Sequence, residues 1–230
     1  FCDGLEQSTT HFMAKDDAGT YVWLRSQRFL EGQDNLLRAP FHDLEADEQA
    51  FVLGYLCHIA TDEITARRAR AIKSQRVGSG AALPHVDAFL TAMDPRFWAM
   101  IREPAHVVDA LHRASIPDSA FVFTKGACLR AMYQAVVPQV EEGGGLAPFL
   151  HMLRRQWQWA RHGQVSDATD DPQIEADLAE LGHRIEADLP TSERLVDKLD
   201  LAFFLQEANR HSVQRIHALL EGGLCDPDGL

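Results

Sequence analysis

The 230-residue sequence contains no apolar run that approaches the ~20 residues needed to cross a bilayer, so it predicts no transmembrane segment. It also has few basic residues. Lys and Arg together number 22 against 34 Asp and Glu, which gives a formal net charge of −12. A surface of that sign repels phosphate backbones, so we expect no nucleic-acid duplex among the partners.

Cysteine is scarce as well, and its spacing is uninformative for metal binding. The four residues, Cys2, Cys57, Cys128 and Cys225, form no Cys-x-x-Cys pair, which excludes a zinc knuckle. Four scattered thiols in a chain of this length do not suggest a disulfide framework. No signal-peptide pattern is visible, which favours a cytoplasmic location, but the location stays open because a signal could precede Phe1.

Strand signals are nearly absent, because period-two alternation never extends beyond a few residues, whereas helical spacing of apolar residues recurs throughout. The longer helices predicted from this spacing cover 20–38, 47–73, 119–142, 147–162, 173–188 and 192–221. Prolines divide 84–118 into short helices and turns. The sequence therefore predicts an all-α fold in which residues 1–230 form a single domain of about eight or nine helices.

The helix predicted over 47–73 carries the most informative pair of side chains, His58 and Asp62. Residues four apart on a helix share one face, with Cβ atoms roughly 5–6 Å apart, so one metal ion can contact both. The first half of this helix is apolar almost all round, which predicts burial. A buried carboxylate needs a partner or a metal, so a hydrogen-bonded His–Asp pair without metal is the alternative interpretation.

A second carboxylate and a second imidazole lie near the amino terminus, at Asp3 and at His11, which precedes Phe12. Together, Asp3, His11, His58 and Asp62 supply two nitrogen and two oxygen ligands, a set that suits Zn²⁺ at about 2.0–2.2 Å. The sequence therefore predicts one zinc site. A turn residue near a helix start is the alternative role for His11.

These two segments resemble the zinc-dependent phospholipase C family, which is related to a group of single-strand nucleases. The stretch Gly54-Tyr-Leu-Cys-His-Ile-Ala-Thr-Asp62 is similar to the family's Gly-Tyr-Leu-x-His-x-x-x-Asp helix. Asp3 to Phe12 resembles its Pro-Asp…His-Phe element, with Cys2 in place of the proline. The likeness extends from Phe1 to the basic end of the helix, at Arg70.

The resemblance implies an all-α phosphoester hydrolase whose site holds up to three zinc ions and whose substrate is a phospholipid or small phosphoester. It makes Asp3, His11, His58 and Asp62 the ligands of one ion. It also implies that Asp3 is the catalytic general base for the attacking water. No later part of the chain could be matched residue by residue.

Departures from the family pattern leave the second and third ions without assigned ligands. Ala66 stands where many members have a further histidine. The replacements we consider are Glu63, the reversed pair Glu207-x-x-x-His211, and His183-x-x-Glu186.

Two other functions remain open. The missing ligands favour a non-catalytic helical binding protein with a vestigial or structural metal site. The doublet His42-Asp43 is typical of HD-type metal-dependent phosphohydrolases, which are also all-α, but it follows Pro40 in a polar link rather than lying in an apolar helix.

Overall fold

The computed structural model describes residues 14–15, 21–22, 25–77, 84, 86–101, 103–118, 120–122, 126–162 and 171–221. Within these ranges the fold is all-α, as predicted, apart from two short antiparallel strands, β1 (Ala14–Lys15) and β2 (Tyr21–Val22). The helices are α1 (Arg25–Leu36), α2 (Ala46–Val77), α3 (Val86–Met100), α4 (Pro104–Arg113), α5 (Gly126–Glu141), α6 (Leu146–His162), α7 (Pro172–Val196) and α8 (Leu201–Glu221). None of these helices is both long and apolar enough to cross a bilayer.

The boundary predicted between the last two helices was wrong. The predicted segments 173–188 and 192–221 placed the break beside Pro190, but α7 continues through that proline to Val196. The chain turns at 197–200 instead, where Lys198 N bonds to Leu195 O at 3.1 Å and Leu199 N to Val196 O at 2.9 Å. Each of these bonds joins an N–H group to the carbonyl three residues earlier, as in a 3₁₀ turn, and so tightens the end of α7. A proline inside a helix removes one backbone hydrogen bond, and packing along the rest of a long helix can offset that loss of stability.

The chain divides into two compact units. One contains β1, β2, α1, α2, residues 116–118 and 120–122, and α8 from residue 202, and we call it the site unit. The other contains α3, α4, α5 from residue 127, α6 and α7, and we call it the α3–α7 unit. The single domain over residues 1–230 stays a prediction.

The core of the site unit is built around Phe121, in the segment that follows α4. Leu37 and Phe121 form an isolated antiparallel bridge, with Val122 N bonded to Leu36 O at 2.9 Å. The Phe121 ring centroid lies 4.8 Å from that of Tyr55 on α2. The buried residues of this core are Phe29, Leu30, Leu37, Phe41, Leu44, Val52, Leu56, Ile59, Ala120, Phe121, Ala218 and Leu219.

The start of α2 is stabilised by Glu48, whose side chain is only 8% exposed. Arg38 Nε donates to Glu48 Oε1 at 2.7 Å, and the Arg38 Nη2 group pairs with the other oxygen. Glu45 N also donates to Glu48 Oε2 at 3.0 Å, which satisfies a backbone donor at the helix start. The hydrogen bond to Glu48 raises the pKa of Arg38. Residues 38–48 therefore fix where α2 begins.

In the α3–α7 unit, α7 packs against α3 and α6. Gly182 allows the close approach of α6, since a Cβ there would lie 3.2 Å from Leu150 Cδ1. The turn after α5 requires glycine, because Gly144 has φ +79° and an added Cβ would lie 2.7 Å from Asp94 Cβ. The core cluster here comprises Ala88, Leu181 and Ile185, with Leu146, Phe149, Leu150, Leu153 and Trp157 packed against it.

Asp171 caps the start of α7. Its Oδ1 accepts hydrogen bonds from Gln173 N at 3.0 Å and Ile174 N at 3.2 Å, and Pro172 occupies the first helical position. The hydrogen bond from Arg161 is the largest of the effects that lower the pKa of Asp171, from 3.8 to about 2. The carboxylate thus joins the end of α6 to the start of α7.

This lowered pKa predicts an acid-sensitive contribution to stability. In the unfolded chain Asp171 has a pKa near 3.9, so the folded state gains from its ionisation above about pH 4 and loses that gain as the pH falls towards 2. We expect Asp171→Asn, which keeps a capping group but removes the charge, to lower Tm at pH 7 and to have a smaller effect near pH 2. Thermal unfolding followed by circular dichroism from pH 7 to pH 2 measures this.

The control is Asp177→Asn, which removes an exposed acid from the same helix. A difference in Tm between wild type and Asp171→Asn that stays constant over the whole pH range would contradict the assignment.

Candidate functional site

The two faces of α2 carry acids in different surroundings. Buried residues recur along one face at helical spacing, and these are Val52, Leu56, Ile59, Ala60, Glu63 and Ile64. His58 and Asp62 lie on another face, where their side chains are 53% and 30% exposed. Neighbouring residues Asp62 and Glu63 therefore point in different directions, since each residue advances about 100° around a helix.

His58 and Asp62 are close but not hydrogen-bonded to each other. His58 Nε2 lies 3.8 Å from Asp62 Oδ2, which exceeds the length of a normal hydrogen bond. The Tyr55 ring centroid lies 6.4 Å from that of His58, on the same side of the helix. The helix thus presents one imidazole nitrogen and one carboxylate oxygen together at a partly exposed surface.

The expectation that this pair is buried was wrong, and so was the alternative of a buried hydrogen-bonded pair. The apolar sequence around His58 does indicate a central helix, but only one face of α2 is enclosed in the core. The buried carboxylate of this segment belongs to Glu63, which is 0% exposed. The sequence identified the correct helix and assigned burial to the wrong acid.

Glu63 is the centre of a hydrogen-bonded cluster that joins three helices. Ser26 N donates to Glu63 Oε1 at 2.7 Å, and Ser26 Oγ donates to Oε2 at 2.8 Å. His211 Nε2 lies 2.5 Å from the same Oε2. An ionised carboxylate can only accept hydrogen bonds, so His211 Nε2 is the donor. Ser26 is also fully buried and His211 is 1% exposed.

The bond from Ser26 N explains how the first turn of α1 is satisfied. This amide belongs to the first turn of α1, where backbone N–H groups have no partner within the helix and the helix dipole favours a negative charge. The first turn of α1 contains no acidic residue of its own. Glu63, 37 residues later in the chain, supplies that charge from α2.

Further contacts hold α8 against α2 along its length. Arg68 Nη2 donates to Glu207 Oε2 at 2.5 Å, and the Arg68 guanidinium lies 5.2 Å from the Phe203 ring centroid. Nearer the start of α2, the Cys57 thiol forms a hydrogen bond with Ser212 of α8. Burial raises the pKa of this thiol, and the hydrogen bond offsets part of that rise. Glu207 and His211, considered together as replacement ligands, therefore each bond to a different residue of α2.

The four predicted zinc ligands are thus described only in part. The structure brings His58 and Asp62 together, and Asp3 and His11 lie outside the residues that it describes. Among the described residues, no set of three or more His, Cys, Asp or Glu side chains is placed to hold a metal ion. The zinc site and the catalytic role of Asp3 therefore stay predictions.

A further pair with helical spacing, His217-x-x-x-Glu221 on α8, was not among the candidates predicted from the sequence. Its spacing was the signal that could have found it. His217 Nδ1 lies 3.9 Å from Glu221 Oε1, and the two side chains are 66% and 76% exposed. The pair resembles His58 and Asp62 in geometry but is more exposed.

The two remaining candidate pairs are also described. His42 and Asp43 belong to a short 3₁₀ turn, Phe41–Asp43, and both are exposed, which differs from the helical doublet of the HD-type enzymes. His183 and Glu186 belong to the α3–α7 unit, where their side chains are 83% and 63% exposed.

Comparison of the chain with protein-family models, with curated proteins and with solved structures found no match.

The Glu63 cluster predicts a large loss of stability when its carboxylate is removed. Glu63→Ala leaves three buried donors on Ser26 and His211 without an acceptor, and each costs about 1–3 kcal/mol. We expect a fall in Tm of at least about 6 °C, because 1 kcal/mol shifts Tm by about 2–4 °C for a chain of this size. Differential scanning calorimetry measures it.

Glu48→Ala is the matched control, because it removes another largely buried carboxylate from the same helix. Its partner Arg38 is 40% exposed and can be solvated, so the loss should be smaller. An equal or greater loss for Glu48→Ala would show that the Glu63 cluster has no special importance.

Proposed function

We propose that this protein is a zinc-dependent hydrolase of phosphoester bonds, resembling the phospholipase C family, with a phospholipid or small phosphoester as substrate. The observation that supports this most directly is the His58–Asp62 pair on one partly exposed face of α2. Its sequence context is also the part of the chain that is most similar to the family.

The geometry of this pair fits a zinc ion. Two ligands of a tetrahedral zinc ion, each at 2.0–2.2 Å, lie roughly 3.3–3.6 Å from each other. The observed separation between His58 Nε2 and Asp62 Oδ2 is 3.8 Å, so small side-chain rotations bring both atoms into range. Since both side chains are partly exposed, the core does not oppose these rotations.

In this proposal each residue of the chain has a limited role. His58, Asp62, His11 and Asp3 hold the ion, and Asp3 accepts the proton of the attacking water. A bound zinc ion lowers the pKa of its water to about 7 and offsets negative charge on the phosphoryl group. Glu63 keeps α2 in a fixed rotation by bonding to α1 and α8, so that His58 and Asp62 stay on the open face.

The first prediction from this function concerns metal content. We expect purified protein to carry at least about one equivalent of zinc, and His58→Ala to lower this below half an equivalent, because the remaining ligands hold the ion less tightly. Inductively coupled plasma mass spectrometry of dialysed protein measures the stoichiometry.

His183→Ala is the control, since it removes another exposed histidine with an acidic neighbour but from the α3–α7 unit. If the wild-type protein carries less than half an equivalent, and His58→Ala does not change that value, the zinc proposal fails.

The second prediction concerns turnover of a chromogenic phosphodiester and of phosphatidylcholine. Chelation should abolish activity and added zinc should restore it. We expect Asp62→Asn to lower kcat/KM by at least ~100-fold, the upper end of the loss caused by removing a residue that only supports a ligand. Steady-state kinetics with both substrates test this, with Asp177→Asn as the control.

A helical binding protein with a structural or vestigial metal site is the second candidate. One observation favours it, namely that Glu63, Glu207 and His211, which could have replaced the missing ligands, already bond to other side chains. Zinc that binds stoichiometrically at His58, without turnover of either substrate, would select this function over the first.

A further inference from the structure

A cleft between α6 and α7 opens to solvent in the α3–α7 unit. Its volume is about 380 Å³, which is within the range of small-molecule binding sites. The described residues that line it are Trp157, Ala160 and Arg161 of α6 and Ile174 and Asp177 of α7. All five belong to one unit, so the cleft is a feature of that unit alone.

Part of the lining is apolar and held in position. Ile174 is 3% exposed, and Trp157 is half-buried and packs against the core cluster of this unit. An indole ring and an aliphatic side chain together form a surface that suits the alkyl part of a ligand.

Arg161 contributes a positive charge to the lining. Its side chain is 46% exposed, and its Nη1 atom donates to both oxygens of Asp171 at 3.0 Å. These bonds order the guanidinium before any ligand arrives, which lowers the entropy that binding would cost. The N–H groups on Nε and Nη2 have no partner among the described residues, so they can donate to an incoming carboxylate.

Asp177 contributes a negative charge to the same cleft. It is exposed, and its Oδ1 accepts a hydrogen bond from Gln173 Nε2 at 2.8 Å, whereas Oδ2 has no partner in the part of the chain that is described. Asp177 lies six residues beyond Asp171, the partner of Arg161, which is about 9 Å along the helix axis. The two charges are therefore separated along α7, and no ion pair joins Arg161 to Asp177.

A ligand that satisfies this lining has a positive group at one end, a negative group at the other and an apolar chain between them. A simple cation would lie beside the charge of Arg161, and a simple anion beside that of Asp177, and either contact opposes binding. An extended chain of about five methylene groups spans roughly 7 Å, since each C–C bond is about 1.5 Å long. That length is on the scale of the separation between the two charges.

We propose that the cleft between α6 and α7 binds an ω-amino carboxylate, a small zwitterion whose ammonium and carboxylate groups are joined by an apolar chain. The ammonium donates to Asp177 Oδ2, the methylene groups lie against Trp157 and Ile174, and Arg161 donates to the carboxylate of the ligand. The cleft has no part in the proposed hydrolysis, and a failure of that proposal leaves this one standing.

The test uses the whole chain at pH 7 and low ionic strength, with 6-aminohexanoate as the probe. Heteronuclear NMR follows the indole N–H signal of Trp157, which is assigned with Trp157→Phe. We expect this signal to shift in a saturable manner with a Kd of about 1 mM, the affinity expected from burying about five methylene groups. A Trp157 signal that does not move at ten times that concentration overturns the proposal.

Two analogues test whether both charges of the ligand are recognised. Hexanoate lacks the ammonium and hexylamine lacks the carboxylate, so each loses one charge-assisted contact. We expect each to bind at least about 5-fold more weakly than 6-aminohexanoate. Equal binding of hexylamine would show a simple cation site and equal binding of hexanoate a simple anion site, and either result overturns the proposal.

Asp177→Asn removes the charge that the ammonium requires. The variant should fold, because this side chain is exposed and asparagine can still accept the hydrogen bond from Gln173. We expect the Kd for 6-aminohexanoate to rise about 5-fold, whereas the Kd for hexanoate, which has no ammonium, should not rise.

Glu180→Gln is the matched control, since it removes another exposed acid from α7 that does not line the cleft. It should leave the Kd for both ligands unchanged. An equal loss of affinity for 6-aminohexanoate in Glu180→Gln and Asp177→Asn would show a general effect of net charge and would contradict direct contact with Asp177.

Discussion

The carboxylate of Glu63 is the group on which the arrangement of the site unit depends. It is fully buried, and it accepts hydrogen bonds from the backbone and hydroxyl of Ser26 and from His211. Because an unpaired buried charge is strongly unfavourable, α1, α2 and α8 must stay in the positions that keep these bonds. The apolar core around Phe121 has no such directional requirement, so the polar cluster fixes the rotation of the helices.

That rotation gives the faces of α2 two different environments. One face packs into the core, and the next face presents His58 and Asp62 to solvent, with the two side chains held one turn apart. A site on a long helix with a fixed start, such as the one that Glu48 and Arg38 provide, is positioned more accurately than one on a loop.

The sequence predicted where the helices lie better than it predicted which of their side chains are buried or hydrogen-bonded. Helical spacing located α2 and α6 to within a few residues, and it gave the end of α8 correctly. It placed the start of α8 nine residues too early, because the break lies at 197–200 rather than beside Pro190. It could not distinguish Asp62 from Glu63, because both follow the same apolar run. Neither the pairing of Glu63 with Ser26 nor that with His211 has a local pattern, since the partners are 37 and 148 residues away.

By itself, the sequence determined the all-α class and the placing of His58 and Asp62 on one helical face, because both follow from spacing within a single segment. The tertiary structure decided which acid is buried and which histidine bonds to it. These properties depend on what surrounds a side chain. Burial and hydrogen bonding arise between segments far apart in the chain, where periodicity carries no information.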